Sequence, residues 1–176
     1  MVVTSFDPLQ IYLYKEGLVW FATEEYNISG KNLKKRYMHL TNYSVNKNGN
    51  YFQGVKENDF TSSKWSLKML KRKYRELGID TAGVFSSIKD LIIKTLISVE
   101  PHVYSSQHRH TSFTKPCYEL YGFDILLDYD LKPWLIEVNT GPSLSGSSEL
   151  DRKIKTMLIT DTFNLVGLKP AGVTRE

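Results

Sequence analysis

The sequence has no run of about 18 apolar residues, so nothing in it resembles a transmembrane helix. Residues 1–5 lack the charged and apolar regions of a signal peptide, and they resemble a strand already under way, which predicts a chain shortened at its N-terminus. Only one cysteine is present, Cys117, so an internal disulfide is excluded and an intracellular compartment is favoured. Internal repeats and low-complexity linkers are also lacking.

What is present indicates an ordinary globular domain. The 176 residues suffice for one domain of about 150 residues. Hydrophobic residues make up 41% and charged residues 24% of the chain, which is typical of globular proteins. The net charge of +4 is compatible with nucleic acid, an anionic membrane or an acidic protein as partner. Charge alone does not choose among them, but no nucleic-acid motif or membrane segment accompanies it, and we expect neither of those partners.

The apolar spacing predicts an α+β fold in which an antiparallel sheet is backed by helices. Residues 11–14 and 18–22 are predicted to form a hairpin that turns at Gly17. The predicted helices cover residues 61–77, residues 83–99 with Pro101 as terminator, and a segment that begins at Ser148. Two further strands are expected at residues 117–128 and 133–139.

These two strands carry the most informative polar residues. Side chains alternate between the two faces of a strand. The alternation predicts one apolar face, made by Tyr121, Phe123, Ile125, Leu127, Trp134, Ile136 and Val138. The opposite face holds Asp124, Glu137 and Asn139. If the turn at residues 129–132 is symmetric, Asp124 lies directly across from Glu137, with Asn139 on the same face.

Two carboxylates at directly opposed positions, with Cβ atoms about 4.5–5.5 Å apart, repel each other unless a positive charge lies between them. Mg²⁺ is such a charge, since it takes oxygen ligands from one or two carboxylates, and Asn139 adds a neutral oxygen. Three alternatives stay open: a solvated sheet face, the paired carboxylates of a retaining glycosidase at about 5–5.5 Å, or a hairpin register shifted by one or two residues.

The string Leu120-Tyr121-Gly122-Phe123-Asp124, with Glu137-Val138-Asn139 after it, resembles the closing motifs of the tubulin tyrosine ligase-like family. Other matching strings occur in the family's order between residues 4 and about 168. They are Ile11-Tyr12-Leu13-Tyr14-Lys15-Glu16-Gly17, Met38-His39-Leu40-Thr41-Asn42-Tyr43-Ser44, Lys64-Trp65, Glu100-Pro101, Leu131-Lys132-Pro133-Trp134 and Pro142-Ser143-Leu144. Each string is short, and the ordered set carries the resemblance.

The resemblance implies that residues 1–168 are the C-terminal part of an ATP-grasp fold, that residues 169–176 are a tail, and that an N-terminal lobe precedes Met1. It implies that Asp124, Glu137 and Asn139 are catalytic residues that coordinate Mg²⁺ on the ATP phosphates. It further implies that His39, Thr41 and Asn42 lie near the nucleotide and the amino-acid substrate. Their structural alternatives are a packed histidine and local turn hydrogen bonds.

The implied reaction is an ATP-dependent ligation through an acyl phosphate. Residues 43–47, Tyr-Ser-Val-Asn-Lys, are more similar to the glutamate-adding members than to the tyrosine-adding one. The implied partners are free glutamate and the acidic tails of tubulin or microtubules. The implied locations are the cytoplasm and cytoskeleton, with the cilium or flagellum as a more specific one.

Two positions depart from the family. Trp20 stands where the family generally has Arg, a side chain suited to phosphates or carboxylates that Trp cannot replace. Gly141 stands where many glutamate-adding members have Ser. The alternative function is therefore a catalytically incomplete pseudoenzyme fragment that binds microtubules or another partner. A basic stripe of Lys64, Lys68, Lys71 and Arg75 on one predicted helix face is a candidate surface for an acidic tail.

Overall fold

The structure is a computed structural model that describes residues 1–27, 29–32, 34–41, 45, 60–110 and 117–168. Within these residues the strands are β1 Val2–Phe6, β2 Leu9–Tyr12, β3 Leu18–Trp20, β4 Lys64–Ser66, β5 Glu119–Leu120, β6 Gly122–Leu127 and β7 Pro133–Asn139. The helices are α1 Arg36–His39, α2 Leu67–Glu76, α3 Thr81–His110 and α4 Glu149–Val166, and a 3-10 turn covers Gly30–Asn32.

The strands pair only antiparallel, in three sheets ordered β2-β1-β5, β3-β4 and β6-β7 among the described residues. The predicted α+β class is confirmed. The predicted hairpin across Gly17 is wrong, because the tight turn at Asp7-Pro8 pairs β2 with β1 instead. Strand β3 pairs with β4, more than 40 residues further along the chain.

The chain divides into two compact units. Unit 1 comprises Met1–Tyr14, Gly78–Leu144 and the residues from Thr156 onward, and unit 2 comprises Lys15–Leu77 and Ser145–Lys155.

The core of unit 1 lies between strand β1 and helix α3. Its buried residues are Met1, Val3, Phe6, Ile92 and Leu96. Tyr121, Phe123 and Ile125 pack against this core, as the predicted apolar face requires. One face of the β6-β7 hairpin is thereby held by apolar burial, and the other remains available for polar side chains.

The helix boundaries show which local signals were decisive. Ser66 caps α2 by accepting a hydrogen bond from the Met69 amide at 3.2 Å, so the helix begins later than predicted and residues 64–66 pair as a strand. Gly78, with a φ of 71°, follows its end. Helix α3 continues past Pro101 to His110, although an interior proline removes one backbone donor and crowds the carbonyl four residues earlier. Val103, beyond the proline, packs against the core of unit 1 and favours the continuation. None of the described helices combines the length and apolarity needed to cross a bilayer.

Candidate metal centre

The turn between β6 and β7 is organised by Asp128. One carboxylate oxygen accepts hydrogen bonds from the amides of Asp130 at 3.0 Å and Lys132 at 2.9 Å. The other accepts from the Trp134 indole at 2.8 Å, and this bond is the main reason that the pKa of Asp128 lies below its usual value. Leu131 takes a left-handed φ of 61° to complete the turn. The side chain of Asp128 thus stabilises the turn that fixes the strand register.

The predicted register is observed where it matters for the site. Gly122 pairs with Asn139, and Asp124 pairs with Glu137. From Ile125 onward the register shifts by one residue, because a bulge leaves Ile136 without a cross-strand partner.

The bulge corrects the predicted faces of β7. Leu135 pairs with Ile125 on the core side, whereas Trp134 pairs with Leu126 on the exposed side. The prediction that Trp134 and Ile136 share the core face of Val138 is therefore wrong, since at least half of each side chain is exposed.

The three predicted ligands lie together at one end of this exposed face. Asp124 and Glu137 are directly opposed, and the Asn139 amide donates to Glu137 Oε1 at 3.2 Å. Gly122 leaves room beside Asn139, because a Cβ there would lie 3.0 Å from Pro142 Cβ and 3.6 Å from Asn139 Cβ. The absence of a side chain at position 122 lets Pro142 approach the site closely.

Among the residues that the structure describes, no cation forms an ion pair with Asp124 or Glu137. Partial desolvation raises the pKa of Asp124, and the hydrogen bond to Glu137 and its negative charge raise it further. No group of three or more His, Cys, Asp or Glu side chains suited to a metal occurs in the part of the chain that the structure describes. Two carboxylates and an amide oxygen fit Mg²⁺, which typically keeps waters and takes one or two carboxylates with substrate phosphates.

The residues predicted to contact nucleotide and amino acid belong to unit 2. His39 ends α1, where its Nε2 lies 3.0 Å from the Asn32 carbonyl oxygen and its ring meets Tyr26 edge-on at 5.7 Å. Thr41 is half-buried after this helix. Asn42 lies outside the described residues. The ligand roles of these three residues stay predictions.

A buried ion pair in unit 2 escaped sequence analysis. Lys64 and Asp151 are each 1% exposed, and their charged groups are in direct contact. The Lys64 ammonium also lies 3.9 Å from the centre of the Trp20 ring. Ser147 donates to Asp151 through its amide at 3.2 Å and through its hydroxyl. The prediction that Lys64 belongs to an exposed helical stripe is wrong, because Lys64 lies in β4.

Only one local signal hinted at this cluster. Ser148 accepts from the Asp151 amide at 3.2 Å, which confirms the predicted helix cap. The Asp151 carboxylate, however, binds Lys64 and Ser147 instead of closing a capping box. Lys64 and Asp151 are 87 residues apart, and no spacing rule links positions so distant.

The comparisons with known proteins agree on one family. The tubulin-tyrosine ligase family matches residues 1–174. The chain is 46% identical over 169 residues to tubulin polyglutamylase TTLL5 of Homo sapiens, which covers 95% of the chain and 13% of that protein. It is 47% identical over 166 residues to human tubulin monoglutamylase TTLL4, an alignment that covers 94% of the chain and 14% of that protein. It is 42% identical over 172 residues to tubulin polyglutamylase ttll6 of Danio rerio, an alignment that covers 96% of the chain and 22% of that protein. The chain thus spans a minor part of each relative.

Proposed function

The chain belongs to the tubulin-tyrosine ligase family, and from this we propose that it supplies the metal-binding part of a ligase that adds glutamate to protein carboxylates. The observation that carries the proposal is the direct opposition of Asp124 and Glu137, with Asn139 beside them. Neither carboxylate forms an ion pair within the described part of the chain. The names of its relatives, tubulin polyglutamylases and a tubulin monoglutamylase, support tubulin as the acceptor and the cytoskeleton as the location.

In this proposal Asp124 and Glu137 would hold Mg²⁺, and the side-chain oxygen Oδ1 of Asn139 would be a third ligand, because Nδ2 of the same amide already donates to Glu137. The metal, when bound, supplies charge neutralisation to the phosphates of ATP. The bulge at Ile136 and the turn at Asp128 hold the two carboxylates in register.

The proposed chemistry has two steps. A carboxylate oxygen of the acceptor protein bonds to the γ-phosphorus of ATP, and ADP leaves. The amino nitrogen of glutamate then bonds to the acyl carbon, phosphate leaves, and a proton is released from the amine. His39, Thr41 and Asn42 are proposed to lie near nucleotide and amino acid, and the contact of His39 Nε2 with the Asn32 carbonyl orients its ring. The parent fold proposed for this site is the ATP-grasp fold.

One observation favours a second candidate, a binding protein without turnover. The Trp20 ring packs on the Lys64 ammonium, so this position offers an aromatic surface and no guanidinium for a phosphate or carboxylate. Such a protein would bind microtubules or another acidic partner through its basic residues and leave the acceptor unmodified.

A ligase assay separates the two candidates. The protein expressed from its complete gene should incorporate labelled glutamate into tubulin in the presence of ATP and Mg²⁺. Glu137→Gln should abolish incorporation, because it removes one of two negative ligands while keeping the side chain's shape. Asp130→Asn is the matched control, since Asp130 is an exposed carboxylate in the turn of the same hairpin. Incorporation by the Gln variant at the unaltered rate would refute the metal role, and microtubule binding without any incorporation would support the second candidate.

A further inference from the structure

Unit 1 contains a groove that the proposed chemistry does not use. It is lined by residues from 79–94, around the N-terminal half of helix α3, and by residues 130–133 of the turn that joins β6 to β7. We call it the turn groove. Its volume of about 630 Å³ falls within the range of about 300–1,000 Å³ that ligand sites occupy. The metal ligands Asp124, Glu137 and Asn139 lie at the other end of the hairpin and do not line it.

The apolar part of the turn groove contains a residue in an unfavourable backbone conformation. Leu131 is half-buried and has a φ of 61°, in the left-handed region that leucine rarely adopts. Glycine or asparagine would occupy this turn position at a lower conformational cost. Leu131 lines the groove together with Val84, Leu91 and Pro133. The turn thus carries an apolar side chain in the groove despite backbone strain, and such strain is concentrated at binding and catalytic sites.

The charges of the turn groove are only partly compensated within the protein. Asp90 pairs with Lys94 at 2.6 Å, so these two charges largely neutralise each other. Asp80 and Asp130 are exposed, and neither forms an ion pair with any residue that the structure describes. Three aspartates and two lysines give the lining a net charge of −1, although the whole chain carries +4. The groove therefore favours a ligand that is both apolar and positively charged.

We propose that the turn groove binds a peptide segment of another protein in which apolar side chains lie next to arginine or lysine. The apolar side chains would pack around Leu131, and the cations would pair with Asp80 and Asp130. An apolar centre with a polar rim is the usual composition of a protein interface. The interaction does not depend on the ligase reaction, because the groove and the candidate metal centre are separate.

The test is an NMR titration of the isotope-labelled chain with the acetylated peptide Ala-Arg-Leu-Leu-Arg-Ala. The amide shift changes should be concentrated in residues 79–94 and 130–133. A peptide with glutamate in place of both arginines should bind about tenfold more weakly, because its charges then face carboxylates of the same sign. A peptide with alanine in place of both leucines should also bind about tenfold more weakly, because it buries less apolar surface.

The first variant tests the strained leucine. Leu131→Asn should weaken binding of the arginine peptide about tenfold, because it removes the apolar side chain from the groove. The melting temperature should change little, because asparagine adopts the left-handed conformation more readily than leucine. Leu126→Asn is the matched control, since it makes the same change at an exposed residue of the same hairpin outside the groove. This control should leave the affinity unchanged.

The second variant tests the charge. Asp80→Asn should weaken binding about twofold to threefold, because it removes one exposed negative charge. Asparagine keeps the side-chain oxygen that accepts from the Gly83 amide at 3.0 Å, so the start of α3 should be retained. Asp161→Asn removes the same charge from an exposed position of α4 in unit 1, outside the groove, and should leave the affinity unchanged.

Four results would overturn the proposal: shift changes centred outside the groove, equal losses in Leu131→Asn and Leu126→Asn, equal losses in Asp80→Asn and Asp161→Asn, or equal affinity for the arginine and glutamate peptides. Sedimentation of the chain without peptide provides a further check. A dimer that Leu131→Asn abolishes would identify a second copy of the chain as the occupant and refute the proposed partner. The titration contains neither ATP nor metal, so failure of the ligase proposal leaves its outcome unaffected.

Discussion

Unit 1 and unit 2 each contain an aspartate beside a second charged side chain, and the two pairs are opposite in kind. In unit 1, exposed Asp124 faces Glu137, and desolvation together with that neighbour raises its pKa. In unit 2, burial alone would raise the pKa of Asp151, but the hydrogen bonds from Lys64 and Ser147 outweigh it and the pKa is lowered. A carboxylate that the protein neutralises itself is structural, whereas one left facing a like charge is available to an external cation.

The overall distribution of charge follows the same division. Unit 2 carries 16 Lys and Arg residues against 8 Asp and Glu, whereas unit 1 carries 7 against 11. The modest net charge of the whole chain conceals a basic part suited to acidic partners and an acidic part suited to cations.

The largest loss of stability is expected from Lys64→Met in unit 2. Removing one partner of a buried ion pair leaves the other charge uncompensated, which costs about 3–5 kcal/mol of unfolding free energy. Chemical denaturation measures the loss. Adding Asp151→Asn should recover most of it, because the remaining charge is then removed while its hydrogen-bonding shape is kept. A loss below about 1 kcal/mol would mean that the pair is not buried in solution.

The second prediction concerns the stability of the Glu137→Gln variant of this chain, measured first without added metal. Like charges at directly opposed strand positions destabilise by about 0.2–1 kcal/mol, so this variant should be neutral or slightly more stable than the parent. Millimolar Mg²⁺ or Mn²⁺ should raise the melting temperature of the parent and leave that of the variant unchanged, because ligand binding to the folded state stabilises it. An equal metal-induced shift in both proteins would contradict the site.

The placement of Asp124 opposite Glu137 was predictable because it depends on local geometry. Strand alternation and a short turn suffice to place Asp124 opposite Glu137. The bulge at Ile136 was not predictable, since it depends on the turn hydrogen bonds of Asp128 and on which strand residue the core accepts. The pairing of β3 with β4 and the contact of Lys64 with Asp151 are long-range, and periodicity carries no information about partners so far apart.

The predicted helix boundaries were wrong for a different reason. Thr61, Ser62 and Ser66 are all suitable helix caps, and only the pairing of residues 64–66 with β3 selects Ser66. Pro101 is a helix terminator on average, but the packing of α3 along the core of unit 1 outweighs the loss of one hydrogen bond.

The pH dependence of the two aspartates should differ in sign. The pKa of Asp124 is raised, so its contribution to stability is present at low pH and is lost as the pH rises through the folded-state pKa. The pKa of Asp151 is lowered, so its contribution is present above the unfolded pKa and is lost as the pH falls through the folded one. Carboxyl-detected NMR titration should show Asp124 titrating at higher pH than Asp151. The stabilisation by added metal should become smaller as acid protonates Asp124. If Asp151 titrated at higher pH than Asp124, the difference between the two aspartates would be refuted.

The smallest stabilisation is expected from an exposed ion pair, and comparing it with the Lys64–Asp151 pair shows how much burial strengthens such a contact. Asp90 and Lys94 lie one turn apart on α3 with a 2.6 Å contact, and their side chains are 59% and 72% exposed. The acid is N-terminal to the base, the favourable orientation on a helix, yet such pairs contribute only about 0.3–0.5 kcal/mol. A double-mutant cycle with Asp90→Asn and Lys94→Met should therefore give a coupling in that range, which added salt reduces. The same cycle with Lys64→Met and Asp151→Asn should give several times more and little salt dependence. Equal couplings at the two pairs would mean that burial does not set the strength of the Lys64–Asp151 contact.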